Sequence, residues 1–416
     1  MIINDPVFGF IEVEDGLLTT LVKHPFLIRL TRLKQLGATH YVYPGAMHTR
    51  FQHSIGALHL ANAAIESLEN KGVCILEKER EGTLAAMLLH DIGHGPFSHA
   101  LEHSFVTGIS HEEISLLMME QLNRELNGQL DTAISIFKDT YPRHFLHELI
   151  CSQLDMDRLD YLCRDSFFAG IREGTIGVAR IIKMLDVKDD RLVVERKGIY
   201  TIENYLMARR LMYWQVYLHK TVMAAQELLV LAMQRARELL QSGQDVGGSN
   251  HLRYFLSREI GREEANAKAE WLSHFAELDD NDVEQALKEW SHHPDKTLSL
   301  LASDYIHRHL FKAEELPEPI AQEDLEEKRR EMAEILGVSH EEAAYFVRYC
   351  ESGQMLYSSE DEHISIHFKD GSIHDISEFS ELLKSNLTNK KSRRYYLFSR
   401  RNEGQIRHQN ENVCSC

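Results

Sequence analysis

The chain has 416 residues, 43% of them apolar and 26% charged, enough to bury a large core and to form two or three domains. This balance excludes a disordered chain, and no apolar run approaches the roughly 20 residues of a membrane-spanning helix. A net charge of −18 argues against wholesale coating of nucleic acid, but a small polyanion can still be held by a local cluster of cations.

In chain order, the first residues, Met1-Ile-Ile-Asn-Asp-Pro6, show neither the basic nor the apolar region of a secretory signal. Cys74, Cys151, Cys163, Cys350, Cys414 and Cys416 form no CxxC pair, so the expected location is a reducing cytoplasm. Val7–Val13 alternates like a short strand. Pro25–Leu36 carries helical periodicity through Phe26, Leu27, Leu30, Leu33 and Leu36.

From His53 to about residue 240 the pattern predicts helices. Ile55, Leu58, Leu60, Ala63, Ile65 and Leu68 mark one, and 83–91 is a short buried one. A third runs over His111–Leu122, opened by Ser110 with Glu113 three residues on, the signature of a reciprocal N-terminal cap. Residues 144–163 form another, and 200–241 one very long helix or a kinked pair. Helices continue over 251–312, and the acidic, proline-bearing Glu314–Ile320 reads as a connector. Beyond it come helices near 323–335 and 340–350, a strand at Ile364–Phe368, a turn at Asp370-Gly371, a helix over Ile376–Leu387 and a strand at Tyr395–Phe398. The expected architecture is mostly α, with a core over 1–240, a helical extension over 241–320 and a small α+β domain over 321–416.

The chemistry concentrates in a few segments. His90-Asp91 ends the apolar run Thr83–Leu89, where an unpaired charge is expensive and a metal relieves that expense. Neighbouring helix residues point about 100° apart, so both reach one ion only at a helix end, which Gly93, Gly95 and Pro96 supply. His53 lies three residues after Arg50, one suited to a metal and the other to a phosphate oxygen. Two imidazoles with the carboxylates of Asp155–Tyr161 make a mixed N/O set for a divalent ion. Such an ion holds phosphate and makes hydroxide available near neutral pH.

His94 and His99 flank Pro96, and His111-Glu112 opens a helix where a histidine can be tuned as an acid; a surface histidine is the bland alternative. Asp157, Tyr161 and Asp165 share one helix face, whereas Asp155 and Asp160 point elsewhere. Arg209, Tyr213 and Tyr217 repeat that spacing. Lys390–Arg401 is basic and aromatic; a charged sheet edge explains it more simply than a nucleic-acid contact.

Together these segments resemble the HD-domain phosphohydrolase superfamily, in particular its deoxynucleoside triphosphate triphosphohydrolase branch. The similarity runs from Asn4 to about Lys220, on Asn4-Asp-Pro6, Lys34-Gln-Leu-Gly37, Tyr43–Ser54, His90–His99, His111-Glu112, Asp155–Tyr161 and Arg164-Asp165. It implies a helical HD-domain core with metal ligands at His53, His90, Asp91 and Asp157, holding a divalent ion such as Fe, Mn, Ni, Zn or Mg. It implies a catalytic His111 supported by Glu112 and His94. Substrate contacts fall on Gln35, Leu36, Arg50, His99, Arg158, Tyr161, Asp165, Arg209 and Tyr217. The implied reaction is hydrolysis at the α-phosphorus to deoxynucleoside and tripolyphosphate, with His111 protonating the leaving oxygen. A homo-oligomer, dimer or tetramer, is implied as well.

The chain departs from the branch in places. Arg158 stands where lysine is frequent, and Tyr213 where histidine is common. Lys23, Ile28 and Thr31 occupy positions that read an activating guanine in regulated members, so guanine-nucleotide activation is not expected. Two rival readings use the same residues: the same site acting on another nucleotide or phosphoester, and a non-catalytic regulator binding nucleotide or nucleic acid.

Overall fold

A computed structural model describes residues 1–98, 100–267, 270–354, 363–380 and 391–401. It divides into two compact units, 1–98 with 109–216 and 355–390, and 99–108 with 217–354 and 391–416. The sequence reading placed its divisions near 240 and 320 instead. Both units recruit C-terminal segments through strand pairing, which local patterning does not report.

The first unit opens with an antiparallel hairpin, Ile2–Asp5 against Gly9–Glu12, with Asp5 opposite Gly9. Its centre is the Arg50–Glu69 helix, which buries Ile55, Ala57, Leu58, Leu60, Ala61, Ala64, Ile65 and Leu68. A helix apolar on so many sides belongs in a core. It packs against the Glu77–Leu89 and Met156–Ala169 helices. The run Leu84–Leu89 is completely enclosed and delivers His90 at its end. Ser110 and Glu113 form the predicted reciprocal cap of the His111–Glu125 helix.

Where one helix was expected over 144–163, two form, His144–Glu148 and Met156–Ala169. Asp155 separates them, because its carboxylate caps the second helix by accepting from Arg158 N. The long 200–241 element is broken, as Ile199–Met212, a π-helical turn Tyr213–Tyr217 and Lys220–Gln241. Strands Leu185–Lys188, Arg191–Glu195, Ser365–His367 and Ile373–Asp375 form a four-stranded sheet in which the middle pair is parallel.

The described residues of the second unit between Lys220 and Ile306 are mainly helical, and a three-stranded antiparallel sheet follows. Lys391–Phe398 is its central strand, between Lys312–Leu316 and Val347–Gln354. The acidic segment at 314–320 is thus partly a strand rather than a free connector. The basic run is not a sheet edge: Tyr395, Tyr396 and Leu397 are buried in the middle of this sheet. The helix expected over 340–350 stops at Ala343, and the strand from Val347 takes its place. Only a 3-10 turn, Ile376–Glu378, begins the helix expected to Leu387, and 381–387 lie outside the described residues, as do His99, Cys414 and Cys416. Among the described residues no helix is long and apolar enough to cross a membrane.

Candidate metal centre

Three separate segments of the first unit meet at His53, at the adjacent His90 and Asp91, and at Asp157. The Arg50–Glu69 helix starts at Thr49, whose hydroxyl accepts from Gln52 N while Gln52 Oε1 accepts from Thr49 N. This cap sets the first turn and with it His53, which is fully buried. His53 Nε2 lies 3.2 Å from His90 Nε2, 3.0 Å from Asp157 Oδ1 and 3.7 Å from Asp91 Oδ2. His90 Nε2 lies 3.4 Å from Asp91 Oδ1 and 3.5 Å from Asp157 Oδ1.

The hydrogen bonds behind the rings assign their tautomers. His90 Nδ1 is 2.6 Å from Met87 O, which only accepts, so Nδ1 carries the proton. His53 Nδ1 is 2.7 Å from Asp160 Oδ2, a carboxylate that stays ionised and also accepts. Both Nε2 lone pairs therefore face one another and two carboxylates. That arrangement demands a cation or bound protons between them. Donors about 2.0–2.2 Å from an ion stand roughly 3 Å apart, so these residues fit a divalent metal.

The electrostatics agree. Burial disfavours a charged His53, but hydrogen bonds to Asp157 and Asp160 outweigh it and push the ring up to about 10. His90 is also raised, Asp91 and Asp157 overcoming its burial. Burial opposes ionisation of Asp157 and Asp91 in turn, yet the two histidines hold Asp157 well below the usual carboxylate range. His90, His94 and Arg50 do the same for Asp91. The centre is built around positive charge.

The loop after His90 brings His94 against His111, the first residue of the His111–Glu125 helix. Arg29 donates to Ile92 O at 3.2 Å and His94 O at 2.8 Å. Gly93 N donates to Ser115 Oγ, whose hydroxyl donates to His90 O. A Cβ on Gly93 would overlap His111 O and Ser115 N, so only glycine lets the loop lie on that helix start. His94 consequently stacks on His111, ring centroids 3.9 Å apart and planes 17° apart. His94 Nε2 is 3.3 Å from Asp91 Oδ1, and His111 Nε2 is 3.2 Å from Glu112 Oε1. Burial first, then Arg50 and His111, keep His94 well below its ordinary value and so uncharged at neutral pH.

Most other expected site residues also belong to the first unit. Arg50 donates to Asp91 Oδ2 at 2.6 Å and Ser98 Oγ at 3.0 Å, and its buried Nη2 has no partner among the described residues. A short backbone pairing lays 33–35 beside 48–50, through Gln35 N to His48 O and Arg50 N to Leu33 O. Gln35 is thereby buried, its Oε1 without a partner among the described residues, and half-buried Leu36 follows it. Asp165 Oδ1 meets His48 Nε2 at 2.7 Å, and the His48 ring stacks on Phe168. Arg209 donates to Gln153 Oε1 at 2.8 Å and stands over Tyr213. Tyr161, Arg158, Arg209 and Tyr213 lie close enough to act on one another electrostatically. Arg158 Nε is engaged by Ser152 O and Asp155 Oδ2. Tyr217, half-buried, ends the π-helical turn within the second unit.

Two residues escaped the sequence reading. Asp160 does leave the Asp157–Asp165 face, but it sits behind His53 rather than away from the centre. His48 lies inside the Tyr43–Ser54 segment without a role of its own there, although it buttresses Asp165. The i, i+4 pair Asp160–Arg164 inside an apolar helix was the available signal.

Residues 50–165 match the HD domain and residues 176–246 the HD associated region. The structure superposes on a crystal structure of a phosphohydrolase from Bacteroides thetaiotaomicron with a TM-score of 0.93 at 53% identity, covering 96% of this chain and 100% of that one. Uncharacterized protein YwfO of Bacillus subtilis is 29% identical over 92% of this chain and 88% of its own length. A deoxynucleoside triphosphate triphosphohydrolase SAMHD1 homolog of Dictyostelium discoideum is 31% identical over 58% of this chain, which spans only 50% of that relative. With its two signature regions and a whole-length structural relative, the chain belongs to the HD-domain phosphohydrolase family.

Proposed function

We propose that this phosphohydrolase acts on deoxynucleoside triphosphates, releasing deoxynucleoside and tripolyphosphate. The observation that carries the reading is the convergence of His53, His90, Asp91 and Asp157 beside the stacked His94–His111 pair. The triphosphohydrolase relative supports the substrate class.

In this reading the four side chains hold one divalent ion, of the Fe, Mn, Ni, Zn or Mg class. When bound, that ion polarises a phosphoryl oxygen and lowers the pKa of water. His111 gives its proton to the leaving oxygen, with Glu112 beside its Nε2 and neutral His94 holding the ring by stacking. Arg50 directs its unpartnered Nη2 at a phosphate oxygen, and Arg209 its buried Nε. Gln35, Leu36 and the His48-buttressed Asp165 take the sugar, with Tyr161 closing against a 2′-hydroxyl. His99, Arg158 and Tyr217 are read as further substrate contacts.

Self-association into a dimer or tetramer belongs to the same reading. Ile2 and Phe10 share a hairpin face and are 66% and 76% exposed, an apolar patch suited to burial between copies. Incubating the protein with Mn²⁺, Mg²⁺ or Fe²⁺ and a panel of nucleotides tests the activity. Tripolyphosphate from dNTPs supports it; orthophosphate release, or turnover of other phosphoesters alone, overturns it.

A further inference from the structure

We propose that Asp5, in the N-terminal hairpin, is a positioning residue for the metal centre, acting through Arg164 and Asp160 on His53. This rests on the reading of His53 as a ligand and adds to it a dependence on the hairpin.

The four side chains form one unbroken chain of hydrogen bonds. Asp5 Oδ2 accepts from Arg164 Nη1 at 2.6 Å. Arg164 then grips Asp160 with both remaining arms, Nε to Oδ2 at 2.9 Å and Nη2 to Oδ1 at 2.8 Å. Asp160 Oδ2 accepts from His53 Nδ1 at 2.7 Å. None of the four residues is more than 5% exposed. Asp5 is itself fixed, since its Oδ1 accepts from Val7 N and Phe8 N at 2.9 Å, and Arg164 lies over the Phe8 ring. The sequence makes room for this path: a Cβ on Gly56 would overlap Asp160 Oδ1 and Arg164 Nη2.

The charges explain why both carboxylates are needed. One guanidinium shared between two carboxylates leaves a net negative charge next to His53. If Arg164 served Asp160 alone, Asp160 would be neutralised and would accept more weakly from Nδ1–H. The imidazole would then be a poorer donor at Nε2, and its tautomer less firmly set. Groups that orient a ligating histidine in this way typically change metal affinity by 10–100-fold. Asp5 also answers a residue of the sequence reading, in which Asn4-Asp-Pro6 carried the family resemblance without a chemical role.

The test is Mn²⁺ binding to the full chain by competition titration, at a temperature where circular dichroism shows each variant folded. In Asp5→Asn the amide oxygen still caps Val7 and Phe8, but the charge facing Arg164 is gone. The expected result is about tenfold weaker Mn²⁺ binding, and no further loss when Asp5→Asn is added to Asp160→Asn. If Asp160→Asn does not fold, Arg164→Lys takes its place, because lysine keeps the charge but cannot bridge both carboxylates. Unchanged affinity in Asp5→Asn, even with a lowered apo melting temperature, reduces Asp5 to a structural staple and overturns the proposal. So do losses that multiply in the double variant. Absence of Mn²⁺ binding by the unmodified chain would instead overturn the metal reading itself, and no nucleotide enters the assay.

Discussion

His53 and His90 present Nε2 to Nε2 at 3.2 Å while each Nδ1 is already committed to an acceptor, Asp160 for one and Met87 O for the other. Two imidazole lone pairs cannot share that gap without a positive charge. The whole centre follows from this confrontation, since Asp91 and Asp157 supply the balancing negative charge.

Removing a ligand should therefore differ from removing the acid. His53→Ala and Asp157→Ala are expected to lose both metal content and turnover. His111→Ala should keep its metal and lose about 10²–10⁴-fold in kcat, the usual contribution of a general acid. Metal analysis alongside steady-state rates separates the two classes. Equal metal loss in His111→Ala would make it a ligand.

Protons and metal should compete for the same place. The folded pKa of His53 lies above its ordinary 6.5, near 10, so its stabilising contribution to the metal-free protein is complete below about pH 6.5 and disappears as pH rises towards 10. His90 is raised and acts with the same sign. Asp157 is depressed, so its contribution is present above the ordinary carboxylate range and lost in acid. Metal-free protein should lose stability between pH 7 and 9.5, by up to roughly 1.4 kcal/mol per pH unit for each proton released. Mn²⁺ affinity should rise over the same interval, because binding expels those protons. Urea titrations of metal-free protein decide it: stability constant or rising with pH would sink the argument. His53→Gln should flatten the slope.

Close approach of backbone to charge predicts a packing effect. Gly56→Ala drives a methyl into the Asp160–Arg164 pair, which is enclosed and cannot retreat. Overpacking of this kind typically costs about 1–3 kcal/mol, and here it also disturbs a buried ion pair. A lower urea midpoint together with weaker Mn²⁺ binding is expected. A midpoint within experimental error of the parent would show that the helices separate freely.

Local patterns made much of this site legible. The apolar run into His90 announced a buried helix end, the Ser110–Glu113 spacing marked the start that carries His111, and the glycines after Asp91 marked where that helix end lies. What stayed hidden was tertiary. Asp160 and Arg164 read as one more i, i+4 pair, and nothing local reveals that His53 lies on one side and Asp5 on the other. The strands from Lys312 and Val347 were missed because their pairing partner, Lys391–Phe398, is remote in sequence. The break at Asp155 was missed because apolar spacing continues across it, whereas its carboxylate competes for the helix start.

A further buried histidine–aspartate pair enters the proposed recognition of the sugar. His48 Nε2 holds Asp165 Oδ1 at 2.7 Å, and the ring is clamped by stacking on Phe168 at 4.6 Å. Asp165 is thus aimed by a residue outside the metal centre. In His48→Gln the lost ring stacking leaves a flexible amide in place of the clamped imidazole, which should let Asp165 swing, while His53, His90, Asp91 and Asp157 keep their places. KM for a deoxynucleoside triphosphate should rise about tenfold, roughly 1.4 kcal/mol of lost binding, with metal content unchanged. Discrimination against ribonucleotides should fall, because a loosened sugar wall rejects a 2′-hydroxyl less strictly. Comparing kcat/KM for matched deoxy and ribo substrates measures this. A variant that loses rate on both equally, at unaltered KM, would place His48 in support of catalysis rather than of sugar selection.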